Sequence, residues 1–209
     1  MSPENPIRIV IAEDHLIARV GVKTILNTQP DMTVVGEAAN GMQALELYRK
    51  LRPDVTLMDV RMPVLSGVDA IIAIRAEFAG ASIIALSTYG GDEDIRRALQ
   101  AGARAYLTKD VLHDELIRAI HAVSDGEQYL PASVSAALAS STLPAGLSAR
   151  EMEVLALIVK GSGNKQIAYQ LGIAEHTVKN HVKNILNKLS VDDRTQAATA
   201  AIQRGIIHL

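Results

Sequence analysis

Five residues among the first 110 combine reactive side chains with a recurring position. Glu13 and Asp14 follow the β-branched run Ile7–Ala12, and Asp59 follows Asp54–Met58. Ser87, with Thr88, follows Ser82–Leu86, and Lys109, after Thr108, follows Ala103–Leu107. Each of these runs reads as a short strand, so each reactive side chain stands at a strand's carboxyl end. If the first and third strands are neighbours, three carboxylates meet at one rim. Like charges so close raise one another's pKa unless a cation neutralises them. Hard carboxylate oxygens, with no His or Cys among them, suit Mg²⁺ better than zinc. A hydroxyl and an ammonium beside them suit the equatorial oxygens of a phosphoryl group. Any one of these residues is an ordinary polar strand end, but five in the same position describe a site.

The elements that must position them alternate regularly. The first strand leads into a helical pattern through Leu16, Ile17, Val20 and Ile25, and Met32–Val35 reads as a second strand ending near Gly36. Asn40 is placed to cap a helix whose Ala44, Leu45, Tyr48 and Leu51 share one face, and Pro53 stops it. Ser66 and Asp69 resemble a capping box for a helix reaching about Phe78. Further helices are expected over Asp92–Ala101, ended by Gly102, and from about Asp110 to Ser124. Apolar strands alternating with amphipathic helices predict an α/β, doubly wound, five-stranded parallel sheet covered on both faces. In such sheets ligands bind beyond the carboxyl ends of the strands, where the five residues lie.

After Tyr129 the pattern changes. Residues 129–146 are Ala- and Ser-rich and read as a linker, in which Val134, Ala137 and Leu138 could form a short helix. From Leu147 strand signals vanish, giving a second, all-α domain. Ser148 with Glu151 forms a capping box for a helix to about Lys160. Gly161-Ser162-Gly163 breaks it, Asn164 is expected to cap a helix to Leu171, and Gly172 marks a turn. Helices then run from about Glu175 to Leu189 and from about Asp192 to Arg204. In the longer one, Val178, Val182, Ile185 and Leu189 form a buried stripe, with Lys179, Asn180, Lys183 and Asn187 opposite. Lys and Asn can donate to phosphate oxygens or to base edges in a major groove.

Composition narrows the function classes. With no cysteine among 209 residues, a disulfide scaffold, a cysteine nucleophile and a thiolate zinc site are excluded. Aromatics at 3% argue against base-stacking platforms. No apolar run approaches the ~18 residues of a membrane span, and the start lacks a basic signal-peptide region, so a soluble, cytoplasmic protein is expected. Residues 1–143 carry a net charge of −5 and residues 144–209 a net of +3, which assigns nucleic acid to the second half if to either. His15, His113, His121, His176, His181 and His208 show no metal-ligand spacing and no pairing with an activated serine, so none is assigned catalysis.

Residues 7–125 resemble a response-regulator receiver domain in Glu13-Asp14, Leu57-Met58-Asp59, Met62-Pro63, Gly67, Ser87, Tyr106 and Lys109, all in order. Residues 147–207 resemble the LuxR-type helix-turn-helix of NarL/FixJ-type response regulators. The matching residues are Leu147-Ser148-Ala149-Arg150-Glu151, Val154-Leu155, Gly161, Asn164-Lys165-Gln166-Ile167-Ala168, Leu171, Thr177-Val178-Lys179 and His181-Val182. The resemblance implies a flavodoxin-like receiver over 1–128, the linker 129–146 and a DNA-binding domain over 147–209. It implies Asp59 as a nucleophile toward the phosphohistidine of a cognate histidine kinase. Asp14, Asp59 and the backbone carbonyl of Arg61 would hold Mg²⁺, with Glu13 acting through water. Ser87 and Lys109 would bind phosphoryl oxygens, and Tyr106 would turn inward as Ser87 moves. Lys179, Asn180 and Lys183 would face double-stranded DNA, and the last helix would help pair two domains.

The function so implied is a transcription factor that phosphorylation converts to a DNA-binding homodimer, with RNA polymerase a further candidate partner. It is not an enzyme beyond its own phosphoryl transfer and slow dephosphorylation. A bulky Tyr89, two residues beyond Ser87, would shield the acyl phosphate from water. One departure stands out: Ala174 occupies a position where the family usually has Ser or Thr, which removes a capping hydroxyl. Two alternatives remain, a phospho-relay protein and a constitutive DNA-binding protein whose receiver serves dimerisation.

Overall fold

The computed structural model describes residues 5–88, 91–110, 113–140 and 147–207. The chain divides into two compact units, the first built chiefly on residues up to Leu138 and the second on those from Ala139.

In the first unit β1 (Ile7–Ala12), β2 (Met32–Ala38), β3 (Val55–Asp59), β4 (Ile83–Ser87) and β5 (Ala105–Thr108) form one parallel sheet in the order β2-β1-β3-β4-β5. The helices between them are α1 (Leu16–Asn27), α2 (Gly41–Leu51), α3 (Gly67–Glu77), α4 (Asp92–Gln100) and α5 (His113–Ser124). Both faces of the sheet are buried, which is why β3 and β4 are buried at every position rather than alternating. One face packs Ala12, Met58, Ile83 and Ala85 against α2, α3 and α4. The other packs Ile9, Ile11, Leu57 and Ile84 against α1 and α5.

The cap expected at α2 is realised, and the capping box expected at α3 forms only in half, because the Asp69 carboxylate accepts from the Ser66 hydroxyl at 2.6 Å. Asn40 accepts the Gln43 N–H at 2.9 Å, and Ser66 accepts the Asp69 N–H at 3.2 Å. Gly67 permits the closest backbone approach at the site. A Cβ there would lie 1.8 Å from the Asp59 carbonyl oxygen, so only glycine lets α3 start against the end of β3.

The segment 129–146, read as a linker with room for a short helix, holds that helix as α6 (Ala132–Ser140). Its Val134 is buried in the cluster formed with α2, α3 and α4, so the chain does not leave the first unit at residue 128.

The second unit is all-helical among the described residues: α7 (Ala149–Val159), α8 (Asn164–Leu171), α9 (Glu175–Leu189) and α10 (Arg194–Gln203). Its core gathers Val154, Leu155, Ile158, Ile167, Val178, Ile185, Leu189, Ala197 and Ala201. The Ser148–Glu151 capping box is present in full. The cap expected at Asn164 falls one residue earlier. Asn164 is the first helical residue, and Gly163 is the cap, its N–H held by the Gln166 side chain at 2.8 Å. A glycine tolerates the extended cap conformation and has no side chain to offer, so the glutamine supplies the hydrogen bond. Gly172, at φ +62°, closes α8 in the left-handed region and makes the turn toward α9.

Candidate functional site

Sheet register sets the rim. Ala12 pairs with Met58, which places Glu13 level with Asp59 across the β1–β3 boundary. Asp59 pairs with Leu86 and Ser87 with Thr108, so Ser87 and Lys109 follow at the next levels across the sheet. The Glu13 N–H donates to the Ala38 carbonyl and the Lys109 N–H to the Ser87 carbonyl, which holds the strand ends in line past the last paired residues.

Glu13 and Asp59 are almost completely buried, and Lys109 lies between them. The Lys109 ammonium is 2.6 Å from Glu13 Oε2 and 2.8 Å from Asp59 Oδ2. Asp59 Oδ1 accepts the Arg61 N–H at 3.0 Å. Burial holds the Asp59 carboxyl above the usual range, while Lys109, the Arg61 N–H and the Lys109 charge pull it down. Burial works against the Lys109 ammonium too, but the two carboxylates outweigh it and raise its pKa. The lysine therefore stays charged beside a partly desolvated carboxylate.

One oxygen from each of Glu13, Asp14 and Asp59 and a nitrogen of His15 lie within 4.8 Å of one another. Asp14 Oδ1 is shielded from solvent and makes no hydrogen bond, although His15 Nδ1 is 3.0 Å away. A buried carboxylate oxygen without a donor is the kind of atom a cation completes. The three carboxylates are hard and anionic, so they, and not the imidazole, fit a small divalent cation such as Mg²⁺. His15, which its spacing does not single out, lies beside this carboxylate cluster. Its ring, bonded to Glu13 Oε1 at 3.3 Å, reaches back over the pair it follows.

Ser87 and Tyr106 are fully buried and hydrogen-bonded to each other. Burial is the main cause that pushes the Tyr106 hydroxyl up to about 12, with the Ser87 bond opposing it. The phenol is neutral and the ring already points inward, the conformation expected only after Ser87 moves. Tyr89 lies outside the described residues.

Sequence reasoning missed Asp94. It lies in α4, is 1% exposed, and accepts from the Arg61 guanidinium at 2.8 Å. In the string Asp92-Glu93-Asp94 it reads as one of three solvated acids at a helix start, and only packing shows which of them turns inward.

In the second unit α9 has the two faces expected of it, except that Val182 of the apolar stripe is only half-buried. Val178, Ile185 and Leu189 are buried, whereas Lys179, Asn180, Lys183 and Asn187 are exposed together. Ala174 caps α9 without a side-chain hydrogen bond. The helix is tied to α7 by the Lys188 ammonium, 2.7 Å from the buried Glu151 carboxylate. Burial drives Glu151 upward, but Lys188 and the Ser148 N–H and hydroxyl together hold its pKa below the usual range.

Comparison with known proteins accounts for both units. Residues 9–121 match the response regulator receiver domain, and residues 145–201 match the bacterial regulatory proteins of the luxR family. The chain is 38% identical to the nitrate/nitrite response regulator protein NarL of Escherichia coli (strain K12), covering 99% of this chain and all of that protein. It is 38% identical to the transcriptional regulatory protein LiaR of Bacillus subtilis (strain 168), covering 97% and 100%. Among solved structures it is similar to the response regulator ChrA of a heme-sensing two-component system, at 38% identity and a TM-score of 0.60 over 97% of this chain and all of that one. It is also similar to the response regulator RcsB in complex with DNA, at 26% identity and a TM-score of 0.71 over 95% and 99%. With both units matched in order along one chain, the protein belongs to the response regulators that join a receiver domain to a LuxR-type DNA-binding domain.

Proposed function

We propose that a cognate histidine kinase phosphorylates this regulator on Asp59, and that phosphorylation switches it to a homodimer that binds double-stranded DNA. The observation that carries this reading is the clamp at the rim: one buried carboxylate, Asp59, held between the Lys109 ammonium and the Arg61 N–H. An Asp59 oxygen attacks the phosphorus of a phosphohistidine, the phosphorus–nitrogen bond breaks, and an acyl phosphate remains on Asp59. Lys109 neutralises charge that accumulates on the phosphoryl oxygens, and the Ser87 hydroxyl donates to another of them. Asp14, Asp59 and the Arg61 carbonyl would hold Mg²⁺, with Glu13 acting through water. When bound, the ion screens the carboxylates from the incoming anion.

The site-bearing part of the receiver is read as 1–128, α6 of the connection 129–146 extends its packed unit to about Leu138, and 147–209 is read as the DNA-binding domain. Lys179, Asn180 and Lys183 face the DNA, and two paired domains read half-sites about one or two helical turns apart. The chain's own chemistry is confined to its phosphoryl transfer and slow dephosphorylation. It works in the cytoplasm, with RNA polymerase as a downstream partner.

Selection from a random DNA pool at fixed salt tests the reading, with and without Mg²⁺ and a small phosphodonor, and with Asp59→Asn as control. Enrichment of a two-fold-symmetric motif only with the phosphodonor, and lost in the variant, is expected. Equal enrichment in every arm would leave a constitutive DNA-binding protein, and none at all would leave a phospho-relay.

A further inference from the structure

Asp94 is a carboxylate in a place that packing reserves for apolar side chains. It is buried beside Ile95 and Ala98 on the inward face of α4. A buried carboxylate persists only where it is paired, and the Arg61 guanidinium lies 2.8 Å from it. Arg61 stands two residues after Asp59, and its own N–H donates to Asp59 Oδ1 at 3.0 Å. One residue therefore holds Asp59 through its main chain and α4 through its side chain. The remaining oxygen, Asp59 Oδ2, is held by Lys109. The orientation of the carboxylate thus depends on two donors, and one of them belongs to a turn anchored by Asp94. The Tyr106 hydroxyl feels the charges of Asp94, Arg61 and Asp59 together, which places the four groups in one neighbourhood.

We propose that Asp94 is a positioning residue for phosphoryl transfer to Asp59, acting through Arg61. The inference rests on the reading of Asp59 as phosphoacceptor. The Arg61–Asp94 pair fixes the turn after β3, and the turn presents its N–H to Asp59 Oδ1. Without the pair, the N–H is aimed over a wider range and the carboxylate spends less time in line with a phosphodonor. Misorientation of a reacting group by fractions of an ångström is felt strongly in rate.

The test is a double-mutant cycle on the full chain, with Mg²⁺ and acetyl phosphate, following phosphoryl uptake with Asp59→Asn as the blank. Asp94→Asn, which removes the charge but keeps the shape, is expected to slow uptake about tenfold, at the low end of what misplacement costs. Arg61→Met is expected to slow it equally, and the double variant no further, because one interaction is lost in all three. Multiplied losses in the double variant overturn the proposal, as does a wild-type rate in Asp94→Asn. If Asp94→Asn does not fold, Arg61→Met alone decides, and a wild-type rate there overturns it. A readout that a general packing role would leave alone is the Arg61 amide proton resonance without phosphodonor, which must move in Asp94→Asn. An unmoved resonance overturns the proposal while leaving Asp59 as phosphoacceptor intact. Absence of any Asp59-dependent uptake by the wild type overturns both.

Discussion

Val64 should be a strained residue whose replacement by glycine stabilises the receiver. Its φ is +69°, in the left-handed region, and the Leu65 N–H donates to the Pro63 carbonyl at 2.8 Å across it. That pattern is a γ-turn of the positive-φ kind, which is rare and strained. For an L residue the left-handed region costs roughly 1–2 kcal/mol, and a β-branched side chain lies at the upper end. Val64 is 83% exposed, so removing its side chain forfeits little apolar burial. Glycine adds back about 0.4–1 kcal/mol of unfolded-state entropy. The balance for Val64→Gly is a gain of about 1 kcal/mol, which at a urea m-value of ~2 kcal/mol/M moves the midpoint up by about 0.5 M. Tyrosine fluorescence reads this transition, because Tyr48 and Tyr106 are buried in the receiver while Tyr169 is exposed in the other unit. Val64→Ala keeps a Cβ and should gain less than half as much. A lower midpoint for Val64→Gly would refute the reasoning, since it would mean that the valine side chain contributes more than its backbone conformation costs.

The Glu151 pair predicts a pH dependence in the second unit. Because its folded pKa is depressed, its stabilisation is present above the unfolded value of about 4.3 and is lost as pH falls through the lower folded value. Glu151→Gln should therefore lower stability at neutral pH and flatten the acid limb, read as hydrogen exchange of α7 and α9 amides against pH; an unchanged slope between neutrality and the acid transition would contradict this. On the proposed DNA surface, Lys183→Ala should weaken binding to all sequences alike. In a symmetric dimer that removes two phosphate contacts, so the log–log salt slope should fall by about 1.8; an unchanged slope would place Lys183 off the backbone.

Much of the site is legible because it obeys local rules. The rim residues follow runs whose β-branched, continuously apolar character marks a strand buried on both faces, and Asn40, Ser66 and the Ser148–Glu151 pair satisfy helix ends by short-range hydrogen bonds. Where neighbouring residues can both occupy a cap, locality is not enough: Asn164 looks like the better cap, yet Gly163 takes the position and Gln166 supplies the bond. The apparent linker hides Val134, whose burial depends on a receiver surface distant in sequence.

The sequence by itself determined which side chains are available to the chemistry and that each sits at a strand end, because strand periodicity and helix capping are read over a few neighbouring residues. Only the tertiary structure decided that β1 and β3 are adjacent, so that Glu13 and Asp59 share the Lys109 ammonium and Asp14 lies beside them. It alone selected Asp94 from three successive acids to pair with Arg61, and joined Lys188 to Glu151 across 37 positions. Those choices rest on strand order and helix packing, which bring together residues whose separation along the chain carries no trace of their distance in space.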